Sequence, residues 1–208
     1  MTVGAAESNS ADSGLGFEPP GFTVDVRQYD AKDWSLLAAL EYTAQRERFT
    51  VPKDSQTDFA SVPRVFVWFI PTYGKYTKAA ILHDDLCRRA EAGHFSRREA
   101  DGVFRQAMRL QEVPFLRRWV MWTAVRWGSL ASKGGSKDWW KDAWRVLPIS
   151  LLVLPVLLPP ALFILAALLV WHLVELVAWV FLESWRRIQT RRNVRPKKVT
   201  RPQFSFRT

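Results

Sequence analysis

Cysteine is almost missing from this chain: Cys87 stands alone among 208 residues. That excludes an internal disulfide and any zinc site built from several thiolates, so the fold must stand on its core. Negative charge is also in short supply. Thirty Lys and Arg face twenty Asp and Glu, a net +10, which points to an acidic membrane surface or to nucleic acid as partner. The start, MTVGAAESNSADSG, lacks the apolar stretch of a secretory signal, so the expectation is a folded domain that is not exported. Tryptophan, in contrast, is abundant at eleven residues, and it concentrates where one end of a side chain is apolar and the other wet, above all at membrane interfaces.

Long apolar runs are absent until Val146. From there to Leu182 the chain reads VLPISLLVLPVLLPPALFILAALLVWHLVELVAWVFL, with only His172 and Glu175 ionisable. This exceeds the ~20 apolar residues needed to cross a bilayer. Pro159 and Pro160 divide it, leaving two arrangements: a transmembrane helix, or a re-entrant hairpin turning at the proline pair. Arg126, Lys133, Lys137, Lys141 and Arg145 precede the run; Arg186, Arg187, Arg191, Arg192, Arg195, Lys197, Lys198 and Arg201 follow it. A hairpin would keep both basic flanks inside, and the expectation is a soluble domain on the cytoplasmic side. Because the basic residues lie beside the apolar run, an anionic phospholipid membrane is the expected partner and nucleic acid is not. The segment KDWWKDAWR (137–145) mixes tryptophan and lysine as an interfacial helix would.

Ahead of this tail the pattern predicts an α+β domain, short N-terminal β-strands followed by a three-helix unit. Residues 1–20 read as disordered, being small and polar. FTVDVR (22–27), WSLLAALEYT (34–43) and ERFTVP (47–52) read as strands, and KDSQTDFASVPR (53–64) as a structured loop. Helix one is expected from about Thr77 to Ala92, closed by Gly93. Helix two opens at Ser96 with the capping-box pair Ser96 and Glu99, and its apolar stripe is Ala100, Val103, Phe104, Ala107 and Met108. Helix three begins at Pro114 and ends near Gly128. The expected divisions are a disordered segment 1–20, a domain 21–130, a linker and interfacial segment 131–145, the membrane segment 146–182 and a basic tail 183–208.

The chemistry concentrates in AAILHDDLC (79–87). On a helix, His83 has Ala79, Ala80, Leu86 and Cys87 for neighbours, an inward-facing stripe on which an imidazole needs a polar partner. Asp101, on the flank of helix two and about one turn offset from His83, is the expected partner. A carboxylate on one ring nitrogen leaves the other as a general base. Asp84, a quarter-turn round from His83, is placed to offer oxygen to a hard cation, and Asp58 is the candidate second metal ligand. The competing reading makes His83 a satisfied core histidine, Asp58 a turn cap and Cys87 a small core residue. Asp85 is expected to form a solvated pair with Arg89. Ser61 has no surrounding nucleophile elbow. Arg117, Arg118 and Arg126 form either a solvated face or lipid-phosphate contacts.

AAILHDDLC followed by EADGVF resembles the His-Asp helix pair of the phospholipase A-two superfamily. The resemblance implies His83 as base, Asp101 as its orienter and Asp84 as ligand to calcium. Over about residues 22–130, the succession TDFASVPR, YTKAAILHDDLC and SRREADGVFRQAM resembles the phage-associated domain of unknown function family numbered 1353, which implies phage or prophage ancestry. Two functions follow as expectations. One is a membrane-anchored, phospholipase-like lipid hydrolase using a His-Asp dyad. The other is a non-catalytic, phage-derived accessory or structural protein docked at the membrane.

Overall fold

A computed structural model describes residues 14–19, 21–30, 33–44, 47–60, 62–132, 135–191 and 200–203. The architecture is α+β. Two compact units divide it, residues 1–61 with 71–153 and residues 62–70 with 154–208.

In the first unit six short strands form two antiparallel three-stranded sheets. β1 (Gly16–Glu18), β4 (Leu40–Thr43) and β5 (Arg48–Val51) make one in the order β1-β4-β5. β2 (Val26–Gln28), β3 (Trp34–Leu36) and β6 (Gln56–Thr57) make the other in the order β2-β3-β6. Alternation decides which side chains go in: Leu40 and Tyr42 on β4, and Phe49 and Val51 on β5, are buried, as a period of two requires.

The run WSLLAALEYT is two strands, not one. The Leu36 N–H donates to Ser55 and the Leu37 N–H to Asp25, so the chain finishes in one sheet before turning into the other at Leu40. β1 lies inside the stretch expected to be disordered. It is held by its register with Glu41–Thr43, by Phe17 against Tyr42 at 4.8 Å and by Glu18, which accepts from Thr43 and Arg48 at 2.9 Å each. Residues 1–13 and Pro20 of that stretch lie outside the described residues. β6 arises within the expected loop, pairing with Trp34 and Ser35.

The helices fall close to expectation. α1 (Thr77–Glu91) stops at Gly93, whose φ of +83° is the left-handed value that favours glycine. α2 (Arg97–Leu110) carries the capping box: Glu99 N–H donates to Ser96 Oγ at 3.1 Å, and Ser96 N–H to Glu99 Oε2 at 3.0 Å. Its inward face is Ala100, Asp101, Phe104, Ala107 and Met108; Asp101 is buried where the apolar pattern favoured Val103. α3 (Phe115–Ser129) follows Pro114 directly.

α4 (Gly135–Trp139) and the first turns of α5 (Ala143–Arg191) complete this unit. Trp139, Ala143 and Val146 join Trp122 of α3 in one buried cluster, and the Trp127 indole donates to Ser150 Oγ at 2.9 Å. Trp139 and Ala143, inside the stretch 131–145 expected to be a linker and interfacial segment, are thus packed into this unit. Of the tryptophans there, Trp139 is buried, whereas Trp140 and Trp144 are exposed.

The second unit contains a 3-10 turn at Arg64–Phe66 and the remainder of α5. α5 passes unbroken through Pro155, Pro159 and Pro160, so no hairpin forms at the proline pair. Residues Ala143–Gln189 have a mean hydropathy of 2.6 at their most apolar, with only 6% of that window buried. It is long and apolar enough to cross a membrane, and it is not the covered core helix of a soluble fold.

Candidate functional site

Four helices contribute to a buried chain of charged groups. α1 presents His83 and α2 presents Asp101, and His83 Nε2 lies 2.8 Å from Asp101 Oδ1. A neutral imidazole bonded in this way donates from Nε2 and keeps its lone pair on Nδ1. The second Asp101 oxygen accepts from Arg126 Nη1 of α3 at 3.0 Å. Arg126 and Asp101 are both fully buried. Arg126 also donates from Nη2 to the Asp138 carbonyl of α4 at 3.1 Å, and its Nε is 3.5 Å from Asp142 Oδ2 just ahead of α5. Arg98 of α2 closes the chain with two bonds to Asp142, 2.8 and 3.1 Å. Burial pushes the Asp142 carboxyl up, but the Arg98 bonds and the charges of Arg98, Arg126 and Arg145 hold it below the usual range.

The packing around His83 is tight. Phe104 lies 4.7 Å from the ring, centroid to centroid, and Cys87 Sγ is 3.5 Å from Nε2 and 3.7 Å from Nδ1. Burial pushes the Cys87 thiol up to about 12, so it is not a nucleophile at neutral pH.

Asp84 belongs to a different neighbourhood. Its Oδ2 accepts the Thr57 hydroxyl at 2.6 Å, and Thr57 Oγ1 accepts the Phe59 N–H at 3.0 Å. This latch joins Thr57 to α1 across 27 residues. Phe59 has a φ of 62°, an unusual conformation for an aromatic residue and one that marks stored strain. Burial raises the Asp84 carboxyl to about 7; the Thr57 bond opposes the rise and the Asp58 charge adds to it. Calcium fits this neighbourhood poorly. Among the described residues no three His, Cys, Asp or Glu come together as a metal group, whereas calcium takes about six to eight oxygens.

The structure thus brings His83 and Asp101 together and leaves Asp84 outside that contact. Asp85 pairs with Arg89 at 2.6 Å, but the carboxylate is buried, not solvated. Arg126 is neither a solvated residue nor a lipid contact. Ser61 lies outside the described residues, and within α5 the Trp171 indole donates to Glu175 at 2.9 Å. Sequence reasoning missed Asp142, Arg98 and Thr57, and it misassigned Arg126. One signal was present: Arg126 follows Trp119 and Trp122 at helical spacing, the same inward-stripe argument that singled out His83.

One family model, described as protein of unknown function (DUF1353), matches residues 34–125. No curated protein and no solved structure matches the chain.

Proposed function

We propose, from the match of residues 34–125 to the DUF1353 family model, that the protein is a membrane-anchored accessory domain of phage or prophage origin. Its buried charges serve as a structural tie among the helices of the soluble domain, as far as Asp142 just ahead of α5. One observation carries this reading: Arg126 simultaneously holds Asp101 beside His83, the Asp138 carbonyl and Asp142 at the root of α5. Both Asp101 oxygens are taken, one by His83 and the other by Arg126, and His83 is itself buried.

With one unbroken helix the two basic flanks lie at its opposite ends. The richer C-terminal flank then takes the cytoplasmic side and the soluble domain the other, the reverse of the hairpin expectation. Carbonate washing is expected to leave the chain in the membrane fraction. In spheroplasts, external protease should degrade the domain and spare a tag on the tail; degradation of the tag alone would reverse the orientation.

A lipid hydrolase is the second reading, favoured by Asp84, whose carboxyl titrates near neutral pH close to the strained backbone at Phe59. His83 would be the base and Asp101 its orienter. Full-length protein in mixed micelles, with calcium or with a chelator, decides between the two. The accessory reading expects no fatty-acid release, together with a lower melting temperature for His83→Ala. Release that depends on His83 would establish the hydrolase instead.

A further inference from the structure

Three half-buried arginines of the first unit gather around an aromatic ledge at the root of α5. The Arg105 guanidinium stacks over Trp119 at 4.4 Å and reaches Trp122 at 5.2 Å. Trp119 touches Trp122 edge-on at 5.4 Å and Phe115 at 6.1 Å. Arg118 lies over Phe115 at 5.6 Å, and Arg145 over Trp144 at 4.5 Å. Arg118 and Arg145 are close enough to Arg105 that, after burial, their repulsion is what makes its proton easier to lose.

Among the described residues none of the three forms an ion pair. Asp142, the carboxylate that acts on Arg105, is spent on Arg98 and Arg126. Like charges brought together, with only Asp142 shared among them and already bonded elsewhere, call for an anion. Beside them stand exposed Phe115, Leu116, Trp144 and Leu147, and Arg145 directly precedes the apolar run that begins at Val146. Guanidinium, aromatic ring and apolar side chain side by side match the phosphate, glycerol and acyl levels of a bilayer surface.

We propose that Arg105, Arg118 and Arg145, with the ledge of Trp119, Phe115 and Trp144, form a binding site for the phosphodiester headgroup of an anionic membrane phospholipid. The site rests on the anchored reading above and adds to it a preferred lipid.

The test uses full-length protein in zwitterionic micelles, probed by native mass spectrometry with phosphatidylglycerol, phosphatidylcholine and inorganic phosphate. Phosphatidylglycerol is expected to be retained at least tenfold better than phosphatidylcholine, with excess inorganic phosphate failing to displace it. R105Q/R118Q/R145Q should reduce retention to the phosphatidylcholine level. R118Q/R145Q, which leaves the stacked Arg105 in place, should fold normally and lose most of the preference. Equal retention of the two lipids, displacement by inorganic phosphate, or an undiminished preference in a folded double variant overturns the site. Carbonate washing of the same variants separates the two ideas. A chain that stays in membranes without lipid preference sinks this site alone, and one that washes out sinks the anchor and the site together.

Discussion

Arg126→Met is expected to cost the fold about 3–5 kcal/mol, the range for removing one partner of a buried ion pair. Asp101, fully buried, would keep only the His83 contact, whereas Asp142 would keep both Arg98 bonds. The penalty therefore falls mainly on Asp101. A melting temperature about 10 °C lower or more follows for a unit of this size, read by near-ultraviolet circular dichroism in detergent. Adding Asp101→Asn should recover most of the loss, because the amide oxygen still accepts from His83 and no charge is left stranded. An unchanged melting temperature for Arg126→Met would remove the structural tie, and with it the main support for the accessory reading.

Asp84→Asn is expected to do the opposite and stabilise the protein above neutral pH. In an unfolded chain this carboxyl loses its proton near 3.8; in the folded protein burial raises that point to about 7. Well below pH 3.8 both states are protonated and Asp84 contributes nothing to the pH dependence. Between 4 and 7 the folded chain holds a proton that the unfolded chain has released, so stability falls as pH rises. Above 7 the full penalty applies, about 4 kcal/mol for a displacement of this size. Asparagine carries no charge and still accepts the Thr57 hydroxyl. The variant should match the parent well below pH 3.8 and exceed it by about 2–4 kcal/mol at pH 8, measured from denaturant midpoints. A gain independent of pH would show that Asp84 is not the titrating group.

Local information explains which parts of this structure could be read in advance. Ser96 and Glu99, Gly93, and the stripe of α2 act within one turn of themselves, so their spacing carries their geometry. His83 and Asp101 were legible for a similar reason, since helices joined by so short a loop must meet. The strands were harder. β1 and β6 are three and two residues long, too short for an alternating pattern, and both exist only through distant partners. The break at Leu37–Ala39 is set by a change of sheet that composition does not register. Arg126 was misassigned because arginine is ordinarily a surface residue, and its burial depends on Asp101 and Asp142, contributed by two other parts of the chain. Thr57 gave no sign at all: only the folded chain brings it to Asp84.

The unbroken course of α5 sets a mechanical condition on the bilayer. Residues 154–182, beyond the first unit, rise about 43 Å at ~1.5 Å per residue, against a hydrocarbon layer of ~30 Å. A straight rod of that length fits only by leaning about 45° from the normal, steeper than the ~0–40° range that membrane helices adopt. Leaning that far is one way to hide the excess; thickening the surrounding lipid is another, and each adds free energy in proportion to the mismatch. As a membrane anchor, such a helix would be accommodated at lower free-energy cost in a thicker bilayer, and a thin one would have to deform around it.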